Sequence, residues 1–145
     1  MSIPWYLAAI GAAIIWGIHY PLIDFAMKRL SVYSVLLISV LPVLFLMPVF
    51  LRDLARDVDV FRLLPTNEQW LVAAIGLTST LGAVLLYLSV NSKNATLASL
   101  IEITYPVFVV LFAYLFFRQV HVNTSVILGG LMILVGAGLV IYNNQ

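Results

Sequence analysis

Five apolar runs, each long enough to cross a hydrocarbon core about 30 Å thick, settle the solvent of this chain before any motif is considered. They occupy residues 4–25, 33–51, 69–90, 97–117 and 124–142. In lipid every backbone N–H and C=O must be paired within its own segment, so runs of this length are predicted to be helices. Charge agrees: 9% of residues are charged against 63% hydrophobic, too few charges to solvate a globule of 145 residues. The expected fold class is all-α, a polytopic membrane protein of five transmembrane helices. Three of the polar breaks, residues 27–31, 91–96 and 118–123, allow only a tight reversal, so the helices they join run antiparallel. Trp5, Tyr6, Tyr20, Tyr33, Trp70, Tyr87 and Tyr142 fall near predicted helix ends, as an aromatic belt requires. The first run has no basic segment ahead of it and is read as a retained span rather than a cleaved signal.

The long break, residues 52–68, differs from the others. Leu54, Val58, Phe61 and Leu64 recur at helical spacing, with Arg56, Asp57, Asp59 and Arg62 largely off that stripe. A short helix on the membrane surface fits residues 52–65, and so does a solvated loop with incidental apolar residues. Asn94-Ala95-Thr96 and Asn123-Thr124-Ser125 match glycosylation sequons but stand in tight turns beside the bilayer, where they carry little weight.

Several function classes drop out. A net charge of +1 and no basic cluster longer than Lys28-Arg29 leave nucleic acid nothing to bind. Cysteine is absent, which removes disulfides, thiolate metal sites and cysteine nucleophiles. His19 and His121 lie on different segments without metal-ligand spacing, so no metal and no cofactor is expected. No nucleophile with a base and no phosphate-binding loop is present, so no enzyme activity is expected.

Glu102 is the residue that calls for a role. It stands inside the fourth run, where an acidic side chain costs ~2.5–3.5 kcal/mol on insertion scales and marks a functional site by default. Pro106, four residues on, cannot donate to the Glu102 carbonyl, so charge and unpaired backbone oxygen coincide. Pro21 removes the donor to Gly17 in the same way, so the first and fourth helices are both predicted to kink. At 1.5 Å per residue, Glu102 lies about 7–8 Å and His19 about 9 Å from the same membrane face. A polar cavity between helices one, three and four is expected, lined by Glu102, His19, Tyr20, Tyr87 and Trp16. There Glu102 would bind substrate or load and release a proton. A purely structural acid, hydrogen-bonded between helices, is the competing reading. His19 near a helix end can simply reach interfacial water, Tyr87 and Trp16 can serve as packing, and Asp24 is expected at the interface with Lys28 as an i+4 partner.

With an odd number of spans, Arg52, Arg56, Arg62 and Arg118 fall on one side of the membrane and Lys28, Arg29 and Lys93 on the other. Four against three is almost no positive-inside bias. Two readings follow: an antiparallel homodimer of oppositely inserted copies, or a single orientation paired with a homologous five-span chain. Small residues at intervals of four (Ala9, Ala13 and Gly17; Gly76 and Thr80; Ser79 and Ala83) permit close helix approach. Gly129 and Gly136, seven apart on one face, are candidates for the dimer interface or for packing within the subunit.

Taken in order, these features resemble the EamA-type domain of the drug/metabolite transporter superfamily along nearly the whole chain. The resemblance rests on Leu7-Ala8-Ala9 leading to Trp16-Gly17, and on a small-residue third span ending in Tyr87. It continues with residues 95–100 (Ala-Thr-Leu-Ala-Ser-Leu) before Tyr105-Pro106-Val107-Phe108, and with Leu128-Gly129-Gly130 through Gly136 to Val140. Members usually carry two such five-span domains in inverted orientation, and residues 1–145 look like one of them, half of an inverted-repeat transporter. The chain departs from the family in two places. Arg118-Gln119 stands where Gly-Glu is frequent, and residues 33–40 lack an arginine that is a common anionic-substrate contact. The related small multidrug-resistance proteins have four spans and an acid in the first, where this chain has only Asp24 near the end.

The resemblance implies a secondary transporter of a small metabolite or amphipathic solute, working by alternating access as a dimer. Its setting would be a cell membrane, the inner membrane of a prokaryote. The alternative is a non-transporting subunit, or half of a heteromeric lipid-carrier flippase.

Overall fold

A computed structural model describes residues 3–119 and 122–144; His121 lies outside them. The described residues form six helices: α1 (Trp5–Met27), α2 (Val32–Leu63), α3 (Thr66–Ser92), α4 (Ala95–Glu102), α5 (Tyr105–Phe117) and α6 (Thr124–Asn143). Five segments among them are long and apolar enough to cross a membrane, α4 and α5 together making the fourth. The chain is an all-helical, multi-pass membrane protein.

Helix starts follow local chemistry. Asn94 and Asn123 are the N-caps of α4 and α6, their side-chain oxygens accepting from the N–H of Leu97 at 2.8 Å and of Val126 at 3.0 Å. The two sequon asparagines are thus helix-starting residues, in the N-cap role for which Asn is among the best side chains. Ser31 caps α2 likewise, accepting from the N–H of Ser34.

The long second break is a helix, but not a separate one. Residues 52–63 continue α2 without interruption, and only Leu64 and Pro65 separate it from α3. The apolar stripe already had helical spacing, and exposed pairs at i,i+3, Asp53 with Arg56 and Asp59 with Arg62, are compatible with it. Being exposed, those pairs contribute little stability. The Gln69 amide closes the turn, donating to the carbonyls of Phe61 and Leu64 at the end of α2.

The described chain gathers into two compact units: Met1–Leu22 with Ser92–Gln145, and Ile23–Asn91. In the first, α4 packs on α6, with small buried residues Ala95, Ala98 and Ala137 on these helices. Gly130 supports α6 against α5: a Cβ there would stand 3.6 Å from the Val107 side chain, whereas at Gly129 or Gly136 it would meet no atom within 4 Å. In the second unit, Ile23, Met27, Val35, Tyr87 and Val90 are buried. The Thr78 and Thr80 hydroxyls bond back to the carbonyls of Ala74 and Gly76, satisfying themselves within α3. Asp24 and Lys28 form no ion pair, because α1 ends at Met27 and Lys28 has left the helical register. Most large apolar side chains are exposed; lipid tails solvate them as well as a protein core does, so this is no penalty in a membrane.

Candidate functional site

The fourth span is interrupted beside its only acid. α4 stops at Glu102, Ile103 and Thr104 form a turn, and α5 begins at Tyr105 with Pro106 in its first turn. Proline is tolerated there because a first-turn N–H has no intrahelical acceptor. The bonds that round off α4 run from the N–H of Ile103 to Ser99 and from that of Thr104 to Ile101, and the Thr104 hydroxyl also donates to the Ile101 carbonyl. The Glu102 carbonyl is left without a donor four residues on. The interruption that Pro106 predicted is therefore a division into two helices, two residues ahead of the ring. By contrast, α1 runs unbroken through Gly17 and Pro21.

Across from the break, α1 presents Trp16, His19 and Tyr20, residues that the 3.6-residue period puts on one face. The Trp16 ring meets the His19 ring edge-on at 5.2 Å and 81°, and the Tyr20 ring at 6.2 Å and 57°. The Tyr20 hydroxyl donates to Glu102 Oε2. Tyr20 is buried, His19 half-buried, and Trp16 and Glu102 exposed. Four of the five residues expected to line one site thus share the first unit, and the hydrogen bond ties α1 to the end of α4. Glu102 is exposed on the single chain.

Tyr87 belongs to the second unit. It is buried, and its hydroxyl donates to Ser39 Oγ at 2.8 Å, while Ser39 in turn donates to the Val35 carbonyl at 3.0 Å. Ser39 escaped the sequence reading, although a hydroxyl inside an apolar span was a signal for it. An open apolar groove of about 540 Å³ runs along α5, lined by Tyr105, Phe108, Phe112 and Phe116 among others; Glu102 is not part of its lining. Among the described residues no group of three His, Asp or Glu side chains is arranged to hold a metal ion.

The sequence model of the EamA-like transporter family matches residues 3–142, nearly the whole chain. The chain belongs to that family. EamA-like proteins are membrane transporters that handle small molecules across a lipid bilayer, and this multi-pass chain is one of them. Comparison with curated proteins and with solved structures gives no match.

Proposed function

We propose that this EamA-family chain is a secondary transporter of a small metabolite or amphipathic solute, working by alternating access, with Glu102 as the substrate- or proton-binding group. In this reading the five spans act as one transmembrane domain of a prokaryotic inner membrane. They pair with a second such domain, in an antiparallel homodimer or with a homologous five-span chain. The observation that carries it is a carboxylate held by Tyr20 at a helix break inside an apolar span. A carboxylate exposed on a single chain at membrane depth is tolerated where it lines a water-filled cavity or faces a partner, which supports pairing. Discontinuous helices are where transporters of inverted-repeat design hold substrates and coupling ions. The open faces at Gly129 and Gly136 are available for such pairing.

The test is flux in proteoliposomes of purified protein under an imposed pH gradient. Gradient-driven uptake is expected in the wild type and absent in Glu102→Gln; a mutant that still responds to the gradient removes proton coupling through Glu102. Absence of flux across a broad metabolite panel favours the subunit reading instead. Tagging the C-terminus and assaying it from both faces decides the pairing: a single-sided signal excludes the antiparallel homodimer and leaves a homologous partner.

A further inference from the structure

We infer that the groove between α4 and α6 seats one anionic phospholipid of the bilayer, with its phosphate on Lys93 and an acyl chain laid along the two helices. The groove, of about 230 Å³, is open and lined by Lys93, Leu97, Ile101, Val140, Ile141 and Asn144; Glu102 is not part of its lining. All six residues belong to one compact unit, in which α4 packs on α6. Leu97 and Ile101 stand four apart on α4, and Val140 and Asn144 four apart on α6, so each helix supplies one edge. Lys93 occupies the turn between α3 and α4, and α6 ends at Asn143, so the polar end of the groove is at a span end, the depth of lipid headgroups. Ile101 lies six residues beyond Ala95, about 9 Å along the axis, which carries the apolar end in among the acyl chains.

Charge chooses the occupant. Lys93 is the one charged side chain in the lining, and among the described residues the ion pairs all lie on α2, so no Asp or Glu side chain pairs with it. One of its donors goes to the Asn144 carbonyl at 3.1 Å, which holds the ammonium at the end of α6 and leaves two donors for phosphate oxygens. The C-terminal end of α6 opposes an anion through its last carbonyls. Those carbonyls are covered: the side-chain amides of Asn143 and Asn144 donate to Leu139 and Val140, and the Asn144 N–H to Ile141. Glu102, the one acid in residues 1–22 and 92–145, closes the other end of α4, about 10 Å along the axis from Ala95. A zwitterionic lipid would bring its own ammonium to a groove with no acid in its lining, and free phosphate would leave the apolar edges unused. Basic pockets between spanning helices bind anionic headgroups for these reasons.

The experiment titrates the full chain, in a neutral maltoside detergent, with dioleoylphosphatidylglycerol, dioleoylphosphatidylcholine and glycerol 3-phosphate, following the unfolding midpoint. A ligand of the folded state raises the midpoint with concentration, so each titration yields an apparent affinity. The phosphatidylglycerol is expected to bind about fivefold or more tightly than the phosphatidylcholine, the weight of one basic side chain at a lipid surface, and glycerol 3-phosphate to leave the midpoint unmoved. Lys93→Gln keeps a donor for the Asn144 carbonyl but removes the charge, and should abolish the preference; Lys93→Arg should retain it. Ile141→Trp, which fills the groove while Lys93 stays, should weaken phosphatidylglycerol binding as well. The readout is the rise caused by lipid, so a change in basal stability from the lost lysine contact does not imitate the result. Equal binding of the two lipids overturns the inference, as does a preference that survives Lys93→Gln. An equal midpoint rise with glycerol 3-phosphate would refute it too, by showing an anion site with no use for the acyl chain, and so would undiminished lipid binding in Ile141→Trp. None of these outcomes depends on flux or on Glu102.

Discussion

Replacing Pro106 by alanine tests whether the break in the fourth span serves function or merely tolerates a proline. Alanine restores an N–H that can reach the Glu102 carbonyl, so α4 and α5 can fuse through Ile103 and Thr104. One backbone bond is worth about 0.5–1.5 kcal/mol net. The propensity difference between Ala and Pro reaches ~3 kcal/mol in a helix interior. Only part of that is realised, because Pro106 now occupies a first turn, where it is tolerated. A gain of about 1–3 kcal/mol is expected, read as a rise in the unfolding midpoint in detergent of about 2–4 °C per kcal/mol. Function should move the other way. Fusing the helices re-aims Glu102 away from Tyr20; the lost hydrogen bond offsets part of that gain, about 0.5–1.5 kcal/mol, and flux should fall roughly tenfold or more. Pro106→Gly is the control: it also restores the N–H but lacks helix propensity, so it keeps more of the break and more of the flux. A Pro106→Ala protein that is no more stable than wild type and transports at the wild-type rate would refute the reasoning.

Three further outcomes follow from the same geometry. Asn94→Ala removes the side-chain acceptor for the Leu97 N–H and should destabilise the chain by about 1 kcal/mol, whereas Asn94→Ser should recover most of it, both by thermal unfolding. Arg118 ends α5 with φ of 54° and lies 5.4 Å from the centre of the Tyr114 ring. Both Arg118→Ala and Arg118→Gly lose that contact, but only glycine relieves the left-handed backbone, so the glycine variant should be the more stable by about 1 kcal/mol. Gly130→Leu should destabilise the single chain by about 1–3 kcal/mol through Val107, while Gly129→Leu should change it by less than about 0.5 kcal/mol and, if its face is the dimer interface, lower crosslinking between copies.

The spans were legible because lipid leaves the backbone no option but helix, so length and apolarity alone located them. What the sequence misplaced lies at their edges. The stretch after Leu51 reads as a surface feature because its charges rise, yet its apolar residues keep the helical period and α2 simply continues. Asn94 and Asn123 matched a modification motif that carried little weight in tight turns, and both residues are N-caps, a role their side-chain type also suits. At the site, Glu102 and Pro106 announced themselves by chemistry, and Trp16, His19 and Tyr20 by helical spacing. The hydrogen bond from Tyr20 to Glu102 was not legible, since it joins residues 82 apart in sequence. Nor was the pairing of Tyr87 with Ser39, which depends on how α2 and α3 pack within their unit.

At 32 residues, α2 is about 48 Å long, well beyond the roughly 30 Å that the hydrocarbon occupies. Pro42 and Pro48 lie within it, and no proline follows before its end at Leu63. The stretch beyond Pro48 is therefore a stiff pointer on a proline joint. Over the fifteen residues from Pro48 to Leu63, about 22 Å, a swing of about 10° at that joint displaces the tip by ~4 Å. A spin label or fluorophore near Leu63 would register in water a movement that begins inside the bilayer.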